Sequence, residues 1–135
     1  MTRYNIENEN GYVKCHLTVD DIPDVCKCYI STNKEEQLWR ISYWFTKSEF
    51  MHKGYGKETL KHTLDYCMTK YGMPTSVQYT WNGTNSYVLD WLERHFNAVC
   101  TCPIAVQKTQ PDDDKDSHIY ELNKEKVLEY FDLLK

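Results

Sequence analysis

The sequence has no apolar run approaching the roughly 20 residues that a membrane-spanning helix needs. Its opening, Met1-Thr2-Arg3-Tyr4-Asn5-Ile6-Glu7, lacks the apolar stretch of a secretory signal. A cytoplasmic protein is therefore the expectation. Basic excess is missing too: 16 Lys and Arg stand against 20 Asp and Glu, a formal charge of −4. General attraction to nucleic acid or to an anionic membrane is not expected from that balance. There is no internal repeat and no low-complexity tract, and 135 residues suit one domain over 1–135 better than two.

Metal-ligand spacing is also absent. His16, His62, His95 and His118 fall at no spacing that would converge on an ion, and no metal is assigned. Six cysteines, at 15, 26, 28, 67, 100 and 102, would suggest disulfides in a small secreted protein. Without a signal they read as reduced thiols. Cys26-x-Cys28 and Cys100-x-Cys102 each put two thiols on one strand face and could share a zinc ion if the strands met. Buried structural cysteine is the simpler expectation, because zinc pairs are usually spaced Cys-x2-Cys.

What is present is a run of strands, then alternating helices and strands. Tyr12 to Val19 and Asp24 to Thr32 are rich in β-branched, aromatic and Cys residues, with the turn-like Asp20-Asp21-Ile22-Pro23 between them, and predict a hairpin. From Leu38 to Phe45, Trp39, Ile41, Tyr43 and Phe45 alternate with Leu38, Arg40, Ser42 and Trp44, predicting a third strand with aromatic bulk on both faces. After Gly54-Tyr55-Gly56 the period changes: Leu60, Leu64, Cys67, Met68 and Tyr71 share one stripe, so a helix of about four turns should run to Gly72 and Pro74. Ser76 to Trp81 reads as a strand, and Val88, Trp91, Leu92, His95 and Phe96 as a helix. Ala98 to Gln107 and His118 to Leu122 read as closing strands around the charged loop Gln110 to Ser117. Asn123 should cap a last short helix carrying Val127, Leu128, Phe131 and Leu134. The fold class is α/β, with a mixed, mostly antiparallel twisted sheet flanked by helices.

The chemistry-bearing stretch runs from Ile41 to Leu60, where a strand ends in a short loop and glycines open a helix. Glycine lets backbone approach a phosphate closely, and the N–H groups of a first helical turn supply donors. Lys53 and Lys57 add positive charge at the same place. Gly-x-Gly alone is weak evidence, so its neighbours matter.

Those neighbours, Ile41-Ser42-Tyr43-Trp44-Phe45 and Gly54-Tyr55-Gly56-Lys57-Glu58-Thr59-Leu60, resemble the GNAT superfamily of acyl-CoA-dependent N-acyltransferases, closest in motif to its ribosomal-protein N-terminal acetyltransferase-like branch. Asn82-Gly83-Thr84-Asn85-Ser86-Tyr87-Val88-Leu89-Asp90 is similar to that family's second signature. The resemblance covers about Leu38 to Phe96. It implies that Met51, His52, Lys53, Gly54, Tyr55, Gly56 and Lys57 bind the CoA pyrophosphate, that Tyr43, Trp44 and Phe45 line the pantetheine arm, and that Asn82 and Asn85 lie near acetyl-CoA. The chain departs from the family in having Met51 where Gln or Arg is usual. It also starts close to the family's second strand, so two N-terminal helices that wall the acceptor site are expected to be missing, and a homodimer is one way to complete that side.

The implied activity is acetyl-CoA-dependent N-acetyl transfer to a primary amine of a protein or small molecule, by direct attack on the thioester without a metal. Tyr87 or Ser86 is the candidate acid; Glu49, with Glu36, is the candidate for holding a proton-accepting water. Two other outcomes are carried alongside: a catalytically silent GNAT-like module that binds CoA or a protein partner, and a nucleic-acid-binding member using the sheet aromatics for base stacking.

Overall fold

Two-residue turns set the start of the chain. Asn10 (φ 54°) and Gly11 (φ 92°) both occupy left-handed backbone, as do Asp20 (φ 48°) and Asp21 (φ 68°). That pairing of positive φ values matches the twist of antiparallel strands. The computed structural model describes residues 1–81, 86–101 and 118–134, the side chain of Ser86 excepted. The turns join β1 (Thr2–Glu9), β2 (Tyr12–Val19) and β3 (Ile22–Asn33), and β4 (Leu38–Thr46) follows. The strand β1 lies ahead of the predicted hairpin, and β3 begins at Ile22 rather than Asp24. No helix lies between Met1 and Lys47.

The chain divides into two units, Met1–Pro74 and Thr75–Lys135. In the first, the strands run antiparallel in the order β1-β2-β3-β4, and α1 (Tyr55–Tyr71) covers one face. Burial follows the two-residue period of the strands. Val13, Cys15 and Leu17 of β2, Cys26, Cys28 and Ile30 of β3 and Trp39 and Ile41 of β4 are buried, as are Leu60, Leu64 and Cys67 of α1. Thr59 and Thr63 join that buried stripe because their hydroxyls donate to the carbonyls of Tyr55 and Thr59, each at 2.7 Å. Gly72 (φ 80°) ends the helix, and its N–H donates to the Met68 carbonyl at 2.9 Å.

A bulge splits β4 in a way that simple alternation does not show. Tyr29 pairs with Tyr43 but Ile30 pairs with Ile41, so Ser42 is an extra residue. Before it, Trp39 and Ile41 face α1; after it the parity flips, and Trp44 and Thr46 face α1. Tyr43 and Phe45 turn to the opposite face, where they stay 42% and 37% exposed. The expected single row of Trp39, Ile41, Tyr43 and Phe45 is thus two half-rows on opposite faces.

In the second unit β5 (Ser76–Trp81) pairs with β7 (His118–Leu122), which also pairs with β6 (Val99–Cys100), all antiparallel. The helix α2 (Ser86–Phe96) packs on α3 (Lys124–Tyr130) through edge-to-face rings, Trp91 on Tyr130 at 5.6 Å and Phe96 on Tyr130 at 5.5 Å. Residues 102–107 of the predicted closing strand lie outside the described set, as does the charged loop. Asn123 caps α3 as expected, its Oδ1 accepting from the Lys126 N–H at 3.0 Å. Asn123→Ala should lower stability by about 1 kcal/mol in a denaturant titration.

Candidate functional site

The site grows from the turn between β4 and α1. A 3-10 turn, Ser48–Phe50, leads into Met51, and His52 (φ 65°) and Gly54 (φ 86°) both adopt left-handed backbone. For His52 this is an uncommon conformation, and it turns the chain abruptly into the helix. Gly54 is the N-cap of α1 and has no side chain to satisfy the first turn; the first ladder bond of the helix is Glu58 N–H to the Gly54 carbonyl, at 3.1 Å. A Cβ at Gly54 would meet nothing within 4 Å, so the backbone there faces open space. The N–H groups of a first helical turn, unclosed by a capping side chain and at the positive end of the dipole, attract an anion. Lys53 and Lys57 are exposed at the same corner.

Gly56 serves a different purpose. A Cβ there would lie 3.3 Å from Thr46 Oγ1 and 3.7 Å from Trp44 Nε1, so a side chain would crowd the close approach of α1 to β4. The Trp44 indole N–H donates to the Gly56 carbonyl at 3.0 Å and ties strand to helix. Trp44 therefore holds the turn in place from the α1 face of β4. The remaining wall residues of the turn, Met51 and Tyr55, are half-buried, and Tyr55 packs with Phe50 against Leu17, Val19, Val25 and Cys26.

On the face away from α1, aromatic rings run across three strands. Tyr12 meets Tyr29 at 5.9 Å, Tyr29 meets Tyr43 at 5.2 Å and Tyr43 stacks with Phe45 at 6.2 Å. Lys14 lies over Tyr12 and Tyr29, and Lys27 over Phe45. Beside Tyr29, His16 Nδ1 is hydrogen-bonded to Asp24 Oδ1 at 2.9 Å. That pair was not legible in the sequence. It exists because β3 carries extra residues between the Leu17–Cys26 and Val19–Ile22 pairs, which brings Asp24 (φ 54°) beside β2. Burial, then the carboxylate of Asp24, raises the pKa of the Tyr29 hydroxyl.

The candidate acids and bases lie on different elements. Glu49 is exposed in the 3-10 turn and Glu36 is exposed in the β3–β4 connection. Tyr87 is 48% exposed near the start of α2, where Ser86 is the first residue. Asn82 and Asn85 lie outside the described residues. His118, buried at the start of β7 and 6.1 Å from the Trp81 ring, has no partner for its Nδ1 among the described residues. A cleft of about 250 Å3, lined by Asn33, Lys34, Gln37, Lys70 and Tyr71 among others, opens at the C-terminal end of α1. The 17 residues of α1 put it about 25 Å from the glycine turn, so it is a separate feature.

Four of the cysteines are core residues, and Cys100 is half-buried. Cys15, Cys26, Cys28 and Cys67 are free and fully buried between the sheet and α1. Burial pushes Cys15 up to about 11 and Cys67 up to about 12, so these thiols stay neutral. Among the described residues no group of three or more His, Cys, Asp or Glu side chains is placed to hold a metal ion.

No protein-family model and no curated protein sequence matches the chain. Solved structures do. The chain is 17% identical to Naa50 of Arabidopsis thaliana in complex with the bisubstrate analogue CoA-Ac-MVNAL, over 80% of this chain and 70% of that one, with a TM-score of 0.58. It is 11% identical to a GNAT-family acetyltransferase of Staphylococcus aureus, over 84% and 68%, at 0.61. It is 16% identical to the PaiA N-acetyltransferase of Thermoplasma acidophilum in complex with coenzyme A, over 81% and 58%, at 0.56. At these identities the likeness is one of fold. The chain has the mixed α/β fold of the GNAT acetyltransferases.

Proposed function

We propose that the chain is an acetyl-CoA-dependent N-acetyltransferase and that residues 1–135 act as one transferase domain. The observation that carries this is the Gly54 turn: an uncapped helix start at φ 86°, open to solvent and flanked by Lys53 and Lys57, on a chain with the fold of CoA-using acetyltransferases. The backbone from His52 to Lys57 supplies donors for the cofactor's pyrophosphate, the Met51 N–H already donating to the Ser48 carbonyl at 3.3 Å, and Lys53 and Lys57 supply charge. Tyr43 and Phe45 offer apolar surface to the pantetheine arm or the acceptor, while Trp44 fixes the turn.

The acceptor is a primary amine. It must arrive neutral, so a base removes one proton from the ammonium. The amine nitrogen then forms a bond to the thioester carbonyl carbon, the nitrogen gives up its second proton to the base or to solvent, the C–S bond breaks, and the departing thiolate takes a proton from the acid. A backbone N–H in the Tyr43–Phe45 stretch is suited to stabilise the developing oxyanion. Tyr87 and Ser86 are the proposed acids. For the base, the His16–Asp24 pair joins Glu49 as a candidate, because the carboxylate orients the imidazole. With no helix between Met1 and Lys47, the aromatic face of β2, β3 and β4 is proposed as acceptor-side surface.

Thermal melting tests the cofactor half. A ligand that binds only the folded state raises the midpoint. Acetyl-CoA at millimolar concentration should raise it by several degrees and free CoA should do likewise, and Lys53→Glu should shrink both shifts. An amine screen read by release of free thiol tests the transfer half. A melting shift without thiol release for any amine points to the catalytically silent, CoA-binding module, and no shift at all overturns the proposal.

A further inference from the structure

The strand β1 ends the sheet order, and no strand covers its outer edge among the described residues. It is eight residues long and pairs one-to-one with β2 from Thr2–Val19 to Glu9–Tyr12 without a bulge. It contains no proline and no lysine. The devices that protect edge strands are mostly missing, which leaves a regular template for strand addition.

The phase of the ladder shows which groups are available. The Asp20 N–H donates to the Met1 carbonyl at 2.9 Å, and residues flanking a two-residue turn form a hydrogen-bonded pair. Met1, Arg3, Asn5, Glu7 and Glu9 therefore direct their backbone groups to β2, while Thr2, Tyr4, Ile6 and Asn8 direct theirs outward.

We propose that this edge pairs with the same edge of a second copy of the chain, antiparallel about a two-fold axis at Asn5. In that register Tyr4 falls opposite Ile6 and Thr2 opposite Asn8, so every outward-directed residue of the strand is in a hydrogen-bonded pair. Arg3 falls opposite Glu7 of the partner subunit, and the two-fold repeats the contact, so the edge is self-complementary in charge. Moving the axis to Ile6 sets Arg3 opposite Glu9 instead, but carries Thr2 past the end of the strand, opposite Asn10 of the turn. The contact between Arg3 and Asp21, at 4.0 Å with both side chains well exposed, is too weak to hold Arg3 away. Two short strands bury little area, so the dimer forms in the micromolar range.

Sedimentation of the whole chain over a concentration series into the high micromolar range tests this. The mass should rise from one 16.1 kDa chain toward twice that value. Ile6→Pro removes an outward N–H without touching the β1–β2 ladder and should hold the protein monomeric. Arg3→Glu should weaken association about tenfold, and adding Glu7→Arg to it should restore it. Should Ile6→Pro fail to fold, the charge swap decides alone. A wild-type chain that stays monomeric throughout, or a dimer indifferent to Arg3→Glu, or a double substitution that fails to restore association, overturns the proposal.

Discussion

Raising the pH from 9 to 11 should strip several kcal/mol from the stability of the first unit. Four thiols lie fully buried between the sheet and α1, and burial raises the pKa of each. In the unfolded chain they titrate near the ordinary value of about 8.5. In the folded chain Cys15 is pushed up to about 11 and Cys67 up to about 12. A raised folded pKa gives stability that is fully present below the unfolded value and is lost as pH climbs through the folded one. Each tenfold difference in acidity between the unfolded and folded chain corresponds to about 1.4 kcal/mol, so two such groups already produce a large effect. Denaturant midpoints measured at increasing pH should fall steeply above pH 9. Cys67→Ala should flatten that fall, since it removes one titrating group from the core. In the native protein at pH 8 the four thiols should resist a thiol reagent and react once the chain is unfolded. A midpoint that stays level to pH 11 would contradict this account of the core.

Gly56→Val should damage both folding and cofactor binding. Even a Cβ there sits 3.3 Å from Thr46 Oγ1 and 3.8 Å from Trp44 Cζ2, and the two methyl groups of valine need more room. The helix must lift from β4 and lengthen the Trp44 to Gly56 hydrogen bond, now 3.0 Å. Overpacking of this kind costs about 1–3 kcal/mol. It also shifts the first turn of α1, so acetyl-CoA affinity should fall by about tenfold or more, in line with the sensitivity of a positioned site to small displacements. Gly54→Ala provides the contrast. It has open space around it and incurs only the left-handed backbone strain of about 1–2 kcal/mol, with the helix still seated on β4. Calorimetry and a denaturant titration on both variants separate the effects; equal affinity in Gly56→Val and wild type would refute the role given to the close approach.

The parts of the fold written in local chemistry could be read from the sequence. Gly54 and Gly72 bracket α1 because both need positive φ, and Asn123 accepts from Lys126 as its place before a short apolar helix requires. The strand β1 was legible in principle from Asn10-Gly11, a turn pair that demands two left-handed residues, but its alternation of Tyr4, Ile6 and Asn8 with polar and charged residues is weakly apolar. The bulge at Ser42 left no trace, since an inserted residue in a strand does not change which residue types are present. It nevertheless decides that Trp44 braces the glycine turn while Tyr43 and Phe45 face the other way. The His16–Asp24 pair was hidden for the same reason. Eight residues separate the two, and only the irregular pairing of β2 with β3 brings them to 2.9 Å. Thr59 and Thr63 could not be read as members of the buried stripe because their hydroxyls are satisfied within the helix, which a pattern of apolar residues does not register.

The central claim is that the Gly54 turn holds acetyl-CoA. Titration calorimetry of the purified chain with acetyl-CoA tests it most directly, with Lys53→Glu as the paired variant. The expected result is one-to-one binding with a dissociation constant between about 1 μM and 1 mM, weakened about tenfold by the charge reversal, a loss of about 1.4 kcal/mol. Absence of heat at millimolar acetyl-CoA, or binding that Lys53→Glu leaves unchanged, would contradict it.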